Sequence, residues 1–335
     1  MPYKDFHFAR SGAPIVRTTA LPMRSRKSLR TFAPVLLLLV AANASAADTS
    51  ARPAAPVKQS AQVAKSTSAT NAKRATTKAT PKQPAAPAKP KPPAHDPQAT
   101  RIFSMDGLGE VTVYAPQGEA RGLALFASGD GGWNLGVWDM AHTARDLGYW
   151  VAGFSTPAYL RTLEAEQGQC SNATGLLDRI GDRVRKEMKL PAYRPVLIGY
   201  SSGATIMYAT LAESGDARYG GAMTLGFCPD LIIHRQWCEG AGGLTASKMS
   251  KAPFTPIFNT VPQVKAPWIV LQGEIDQVCN PPATEAFVNQ VKGGHVIMLP
   301  KVGHGYSVPR NWLPQYRQGL IDLLDAAARE NKTAP

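Results

Sequence analysis

The chain has 335 residues and a formal net charge of +13, but the excess is local. Residues 1–46 carry seven Lys/Arg and one acid, residues 47–98 carry nine and two, and residues 99–335 carry 21 of each sign. The expected folded part is therefore formally neutral, and the basic pI gives no ground for a nucleic-acid partner.

The first element is a leader, residues 1–46. It has a charged segment "MRSRKSLR", an apolar run "APVLLLLVAA" and a small-residue cleavage pattern "ASA" at 44–46. This order reads as a secretory signal peptide, and the run is shorter than the ~20 apolar residues a membrane-spanning helix needs. An uncleaved anchor is the competing reading. Counting from Met23 gives a leader of ordinary length, which suggests that residue as the true start. No Cys lies near the cleavage pattern, so lipid attachment there is not expected. Residues 47–98 are almost entirely Ala, Pro, Lys, Thr, Ser and Gln. Such a segment cannot bury enough apolar surface to fold. We expect a spacer, with a basic arm touching anionic lipid or cell-wall polymer as the alternative.

From residue 99 to 335 the pattern alternates. "GEVTVYAP" alternates like a strand, and "GLALFAS" (122–128) is a continuous apolar run, as in a strand buried on both faces. "WDMAHTARDLG" is helical and ends in glycine. Strand-like runs follow at "YWVAGFS", "RPVLIGYS", "GGAMTLGF", "APWIVLQG" and "GHVIMLP". Helical patterns fall between and after them, at "ATGLLDRIGDRVRKEMKL", "GATIMYATLAES", "PATEAFVNQVK" and "LPQYRQGLIDLLDAAARE". This alternation predicts one α/β domain with a mostly parallel central sheet and helices on both faces. Residues 228–265 fit neither pattern and are expected to form a loop or lid insertion. Cys170, Cys228, Cys238 and Cys279 all fall in the domain, and an even count in an exported chain suggests two disulfides. Three pairings are open; Cys228 and Cys238 are close enough in sequence to clip one loop. No zinc spacing is present, and no metal or cofactor is expected.

The stretch "GYSSG" (199–203) sits between a buried strand and a helix. By composition alone such a G-x-S-x-G arises in roughly one chain in ten of this length. Its placement on a strand-to-helix turn makes it a candidate nucleophile elbow, with Ser201 selected by the glycine frame. A serine nucleophile needs a base, and the base needs an orienting acid. The loop after "WIVLQG" offers Asp276, and the loop after "HVIMLP" offers His304, in the chain order Ser, acid, His. His295 and His234 are the competing bases; Asp230 is the reserve acid and Glu274 another nearby carboxylate. Oxyanion donors are expected from the backbone N–H of Ser202 and, in the loop "GDGGW" (129–133), that of Asp130, with Gly131 next. Asp130 could equally be a helix cap. Asp130, Gly131, Trp133 and Asp230 are the candidate substrate-binding residues.

"SGDGGW" and "LIGYSSGA" together resemble the VirJ/AcvB family of bacterial virulence proteins over roughly residues 100–330. The resemblance implies a periplasmic protein with the α/β-hydrolase fold and a serine triad, which by position is Ser201, Asp276 and His304. It also implies hydrolysis of aminoacylated phosphatidylglycerol, above all the lysyl form, and in some bacteria a link to type IV secretion. The expected partner is therefore a phospholipid or other ester at the membrane surface, with secretion-system proteins as further candidates. Two rivals stand beside this reading: another periplasmic carboxylesterase, and a non-catalytic, secretion-associated binding protein on a hydrolase fold.

Overall fold

Two short strands, β1 (Arg101–Met105) and β2 (Gly109–Tyr114), open the fold as an antiparallel pair. The computed structural model describes residues 93–215, 218–248 and 255–333. The expected signal peptide (1–46) and most of the expected linker (47–92) lie outside the described residues. After the opening pair come β3 (Gly122–Ala127), α1 (Leu135–Asp146), β4 (Tyr149–Phe154), α2 (Thr156–Ala165) and α3 (Ala173–Met188). The chain continues through β5 (Val196–Tyr200), α4 (Ser202–Ser214) and β6 (Gly221–Leu225). It ends with β7 (Ala246–Lys248), β8 (Pro256–Phe258), β9 (Trp268–Gly273), α5 (Pro281–Val288), β10 (Gly294–Leu299) and α6 (Leu313–Thr333).

Eight strands form one sheet in the order β1-β2-β4-β3-β5-β6-β9-β10. From β4 to β10 every pairing is parallel, while β2 is antiparallel to both its neighbours. Side-chain alternation sends each central strand's residues to two separate cores. Leu123, Leu125, Leu197, Trp268 and Val270 join α3, α4 and α5 on one face. Ala124, Phe126, Ile198, Ile269 and Leu271 join α1 and α6 on the other. The helices are started by short polar side chains. Asn134 caps α1, Ser155 caps α2, Asn172 caps α3 and Asn280 caps α5, each accepting from a backbone N–H of the first turn. Among the described residues no helix is long and apolar enough to cross a membrane.

Segment 228–265 does hold some regular structure: β7 and β8 pair antiparallel as a separate two-stranded sheet. It is tied down by Cys170–Cys238, and the disulfide Cys228–Cys279 joins the loop after β6 to the loop after β9. Cys228 and Cys238, near neighbours in sequence, thus each bond to a distant loop rather than to each other. The expected linker also gives way early. Asp96 is buried, with its carboxylate accepting from the Tyr114 hydroxyl at 2.8 Å and lying 2.6 Å from His142 Nε2. One carboxylate with partners on β2 and α1 is enough to fix the chain at residue 96 against the fold.

Candidate active site

The elbow is built by exclusion. A Cβ on Gly199 would stand 2.3 Å from the Gly203 carbonyl oxygen, and one on Gly203 would stand 2.3 Å from that of Ser128. Both distances are prohibitive, so the strand-to-helix turn closes only with glycine at these two positions. Between them Ser201 takes φ 55° and ψ −125°, a backbone conformation that costs a side-chain-bearing residue on the order of 1–3 kcal/mol. Serine is ordinarily a good helix cap, yet Ser201 makes no capping bond to α4. Its Oγ lies 2.8 Å from His304 Nε2.

His304 Nδ1 lies 2.9 Å from Asp276 Oδ2. The Asp276 carboxylate is fully buried and receives three further bonds: from the backbone N–H groups of Val278 (2.8 Å) and Cys279 (2.9 Å) and from Gln272 Nε2 (3.1 Å). Four partners leave it one orientation, with one oxygen aimed at the imidazole. Room for the ring comes from Gly226, where a Cβ would meet His304 Cε1 at 3.1 Å. The ring's own loop is tethered by two tyrosines. Tyr200 donates its hydroxyl to the His304 carbonyl at 2.9 Å, and Tyr306 donates to the Leu271 carbonyl at 2.6 Å. The Tyr200 phenol is held above its usual pKa, chiefly by burial and then by the Asp276 and Asp130 charges.

Gly129 presses on the elbow, since a Cβ there would meet Ser201 Cβ at 3.1 Å. The loop it begins is pinned on its other side, because Ser128 Oγ accepts from the Thr156 N–H at the start of α2. The N–H groups of Asp130 and Ser202 have no hydrogen-bond partner among the described residues. Asp130 is exposed and does not cap α1; Asn134 does.

The competing residues lie elsewhere. His295 is exposed near the start of β10, at the far end of that strand from His304. His234, in the insertion, donates its backbone N–H to Glu164 of α2. Asp230 is exposed and bridges to Ile257, and Glu274 is exposed. Trp133, expected to bind substrate, is half-buried. Its indole fills the space over Gly153, where a Cβ would come within 1.9 Å of it, and meets Phe126 edge-on at 5.3 Å. Tyr200, Gln272, Gly226 and the Cys228–Cys279 bond were not foreseen. Of these only Tyr200 carried a signal, as the residue preceding the elbow serine.

Asp276, Cys279 and His304 bring three donor atoms within 4.8 Å of one another. They do not fit a metal: the Cys279 sulfur is bonded to Cys228, and the other two atoms face each other.

A family model described as bacterial virulence protein (VirJ) matches residues 121–227. That segment bears the VirJ signature. It runs from β3 to the end of β6, so it holds the "GDGGW" loop and the elbow, while Asp276 and His304 lie beyond it. No curated protein sequence matches the chain. Among solved structures, Est1E from Butyrivibrio proteoclasticus is 11% identical with a TM-score of 0.45, covering 68% of this chain and 99% of that one. A serine hydrolase homologue from Coxiella burnetii is 19% identical with a TM-score of 0.42, covering 67% and 97%. The esterase domain of a Rhodothermus marinus protein is 16% identical with a TM-score of 0.45, covering 67% and 97%. The sheet order β1-β2-β4-β3-β5-β6-β9-β10, with the elbow between β5 and α4, is that of an α/β-hydrolase fold, and the matched segment lies within it.

Proposed function

We propose that this protein is an exported serine hydrolase that cleaves an ester. The reading rests on one observation above the others: an unbroken relay from Ser201 Oγ through both nitrogens of His304 to a buried Asp276. In it Ser201 Oγ attacks the ester carbonyl as His304 Nε2 takes its proton. Asp276 holds the ring in the tautomer that leaves Nε2 free and stabilises the imidazolium that forms. The N–H groups of Ser202, at the positive end of α4, and of Asp130 or Gly131 receive the oxyanion. The alcohol departs with the proton returned by His304. Water then repeats the sequence on the acyl-enzyme, again with His304 as base, and frees the acid and Ser201.

For the substrate, the VirJ resemblance favours the aminoacyl ester of aminoacylated phosphatidylglycerol, with the lysyl form first. The exposed Asp130 carboxylate beside the elbow suits a cationic acyl group. Two disulfides suit an oxidising compartment, in keeping with the periplasm. A connection to type IV secretion rests on the resemblance alone.

The test is Ser201→Ala. Turnover of a soluble ester falls roughly a thousandfold or more, and labelling by a fluorophosphonate disappears. Retained activity or labelling refutes the mechanism. Deleting the gene raises the pool of lysyl-phosphatidylglycerol; unchanged pools of every aminoacyl lipid count against the substrate while leaving the esterase reading intact.

A further inference from the structure

Strand β9 reads "WIVLQG", and its side chains alternate between the two cores. Trp268 and Val270 fill the core on the α4 and α5 face, while Ile269 and Leu271 fill the other. Gln272 falls on the side of Trp268 and Val270 and is wholly buried. A central parallel strand calls for an apolar side chain there. The amide instead gives both hydrogens of one nitrogen away: Nε2 lies 3.1 Å from Asp276 Oδ2 and 3.1 Å from the Cys279 carbonyl oxygen. Those two acceptors fix which way round the amide sits. Turned over, Oε1 would face a carboxylate and a carbonyl. Oε1 is then left buried, with no hydrogen-bond partner among the described residues. A buried acceptor without a partner weakens a fold, so the amide sits here at a penalty to stability.

The atom it bonds is the one that matters to the relay. Asp276 Oδ1 is held by the backbone N–H groups of Val278 and Cys279, which already set the direction of the carboxylate. Oδ2, 2.9 Å from His304 Nδ1, is the oxygen that Gln272 shares with the imidazole. A donor on an ionised carboxylate stabilises its charge and weakens the pull of that charge on a neighbouring cation. From this we infer that Gln272 is a positioning residue that tempers Asp276 and so keeps the His304 imidazole neutral to lower pH than an unmodified Asp–His pair would. An untempered carboxylate holds the imidazolium too firmly and leaves less free base for Ser201. The inference rests on the relay proposed above and adds to it the group that sets its working pH.

The other titratable groups around the ring are common to the parent and to any Gln272 variant. Ser201 and Tyr200 come from the elbow, and Tyr306 from the ring's own loop. Asp130, Asp230, Glu274 and Lys301, on the loops after β3, β6, β9 and β10, are exposed, where solvent screens them.

The test is Gln272→Met in the full protein, which keeps the length of the side chain and loses the amide. Turnover of a neutral soluble ester is followed from about pH 5 to about pH 9. The acid limb of kcat/KM, which reports the base in the free protein, moves to higher pH by about 0.5 to 1. Activity at about pH 6 is roughly threefold to tenfold lower, while at about pH 9 it stays within about twofold of the parent with KM unchanged. The imidazole nitrogen resonances of His304, assigned by their absence from His304→Gln, titrate with the same displacement and need no turnover. A loss equal at every pH, an acid limb that stays or moves to lower pH, or a His304 that titrates as in the parent overturns the inference and leaves Gln272 a structural residue. Gln272→Leu takes the place of a Gln272→Met that does not fold. Failure of both to fold overturns the inference too, since the amide would then serve the fold and not the base. A parent that turns over no ester, while His304 still titrates higher in the variant, sinks the hydrolase reading and leaves the hold of Gln272 on His304 standing.

Discussion

Tyr200 illustrates how much of the site depends on residues that do no chemistry. Its hydroxyl bonds the His304 carbonyl at 2.9 Å, and its ring lies 5.8 Å from the imidazole. The residue before Ser201 therefore holds the loop that carries His304. Removing the hydroxyl by Tyr200→Phe forfeits a bond worth about 0.5–1.5 kcal/mol. If that bond serves to hold His304 in place, the loss appears in kcat, as a reduction of about twofold to tenfold, with KM unchanged. Steady-state kinetics on a soluble ester decides this: a rise in KM at constant kcat would show that Tyr200 contacts substrate instead. Ser201, Asp276 and His304 were legible because their order and loop positions are fixed by the strand-helix alternation. The choice of Asp276 over Glu274, two residues away, was less so. It turns on the backbone N–H groups of Val278 and Cys279 folding back onto one carboxylate, a local turn with no periodic signature. The packing of Trp133 was hidden for a related reason, because nothing in the sequence shows Gly153 lying beneath its indole.

The elements that were hard to read are short or lie at the margins. β1 has five residues on the sheet edge and little apolar alternation, so "RIFSM" carries no strand periodicity of its own. Helix α2 follows β4 almost without a break, and its Pro157 lies in the first helical turn, where proline is tolerated. The buried strands and long amphipathic helices, which must match a core on one or both faces, were legible throughout. Disulfide pairing was not, because it depends on which loops meet at the strand ends. The pairing found has a functional consequence. Cys279 donates its N–H to Asp276 and is bonded to Cys228 on the loop after β6, whereas Cys170–Cys238 secures the insertion to the segment before α3. The loops closed span 51 and 68 residues, so each bond contributes about 4 kcal/mol at most by the chain-entropy estimate. Cys228→Ser/Cys279→Ser is expected to lower both the midpoint of urea unfolding and kcat. Cys170→Ser/Cys238→Ser lowers the midpoint alone. Equal losses of kcat in the two variants would show that the Cys228–Cys279 bond has no particular hold on Asp276.

At the scale of the whole molecule, the insertion is joined to the rest of the α/β fold by a buried carboxylate as well as by sulfur. Glu213, in the last turn of α4, accepts from the Thr174 backbone N–H and hydroxyl at the start of α3 and from the Trp237 indole in the insertion. Burial is the larger influence and raises its pKa from 4.5 to about 7, while those donors and Arg218 pull the other way. The sign of the consequence follows from linkage. Below pH 4.5 Glu213 is protonated in both folded and unfolded chains, and its contribution to stability is whole. As pH rises toward 7 the unfolded chain releases this proton while the folded one keeps it, so stability falls and then levels off above about 7. The loss is on the order of 2–3 kcal/mol across that window. Glu213→Gln has no proton to release. Its amide also faces the Trp237 donor, so the variant starts with a fixed deficit. Urea unfolding of parent and variant between pH 4.5 and 8 therefore shows the parent's advantage shrinking as pH rises. An advantage that stayed constant would mean that Glu213 is ionised in the fold throughout, and that its three donors outweigh its burial.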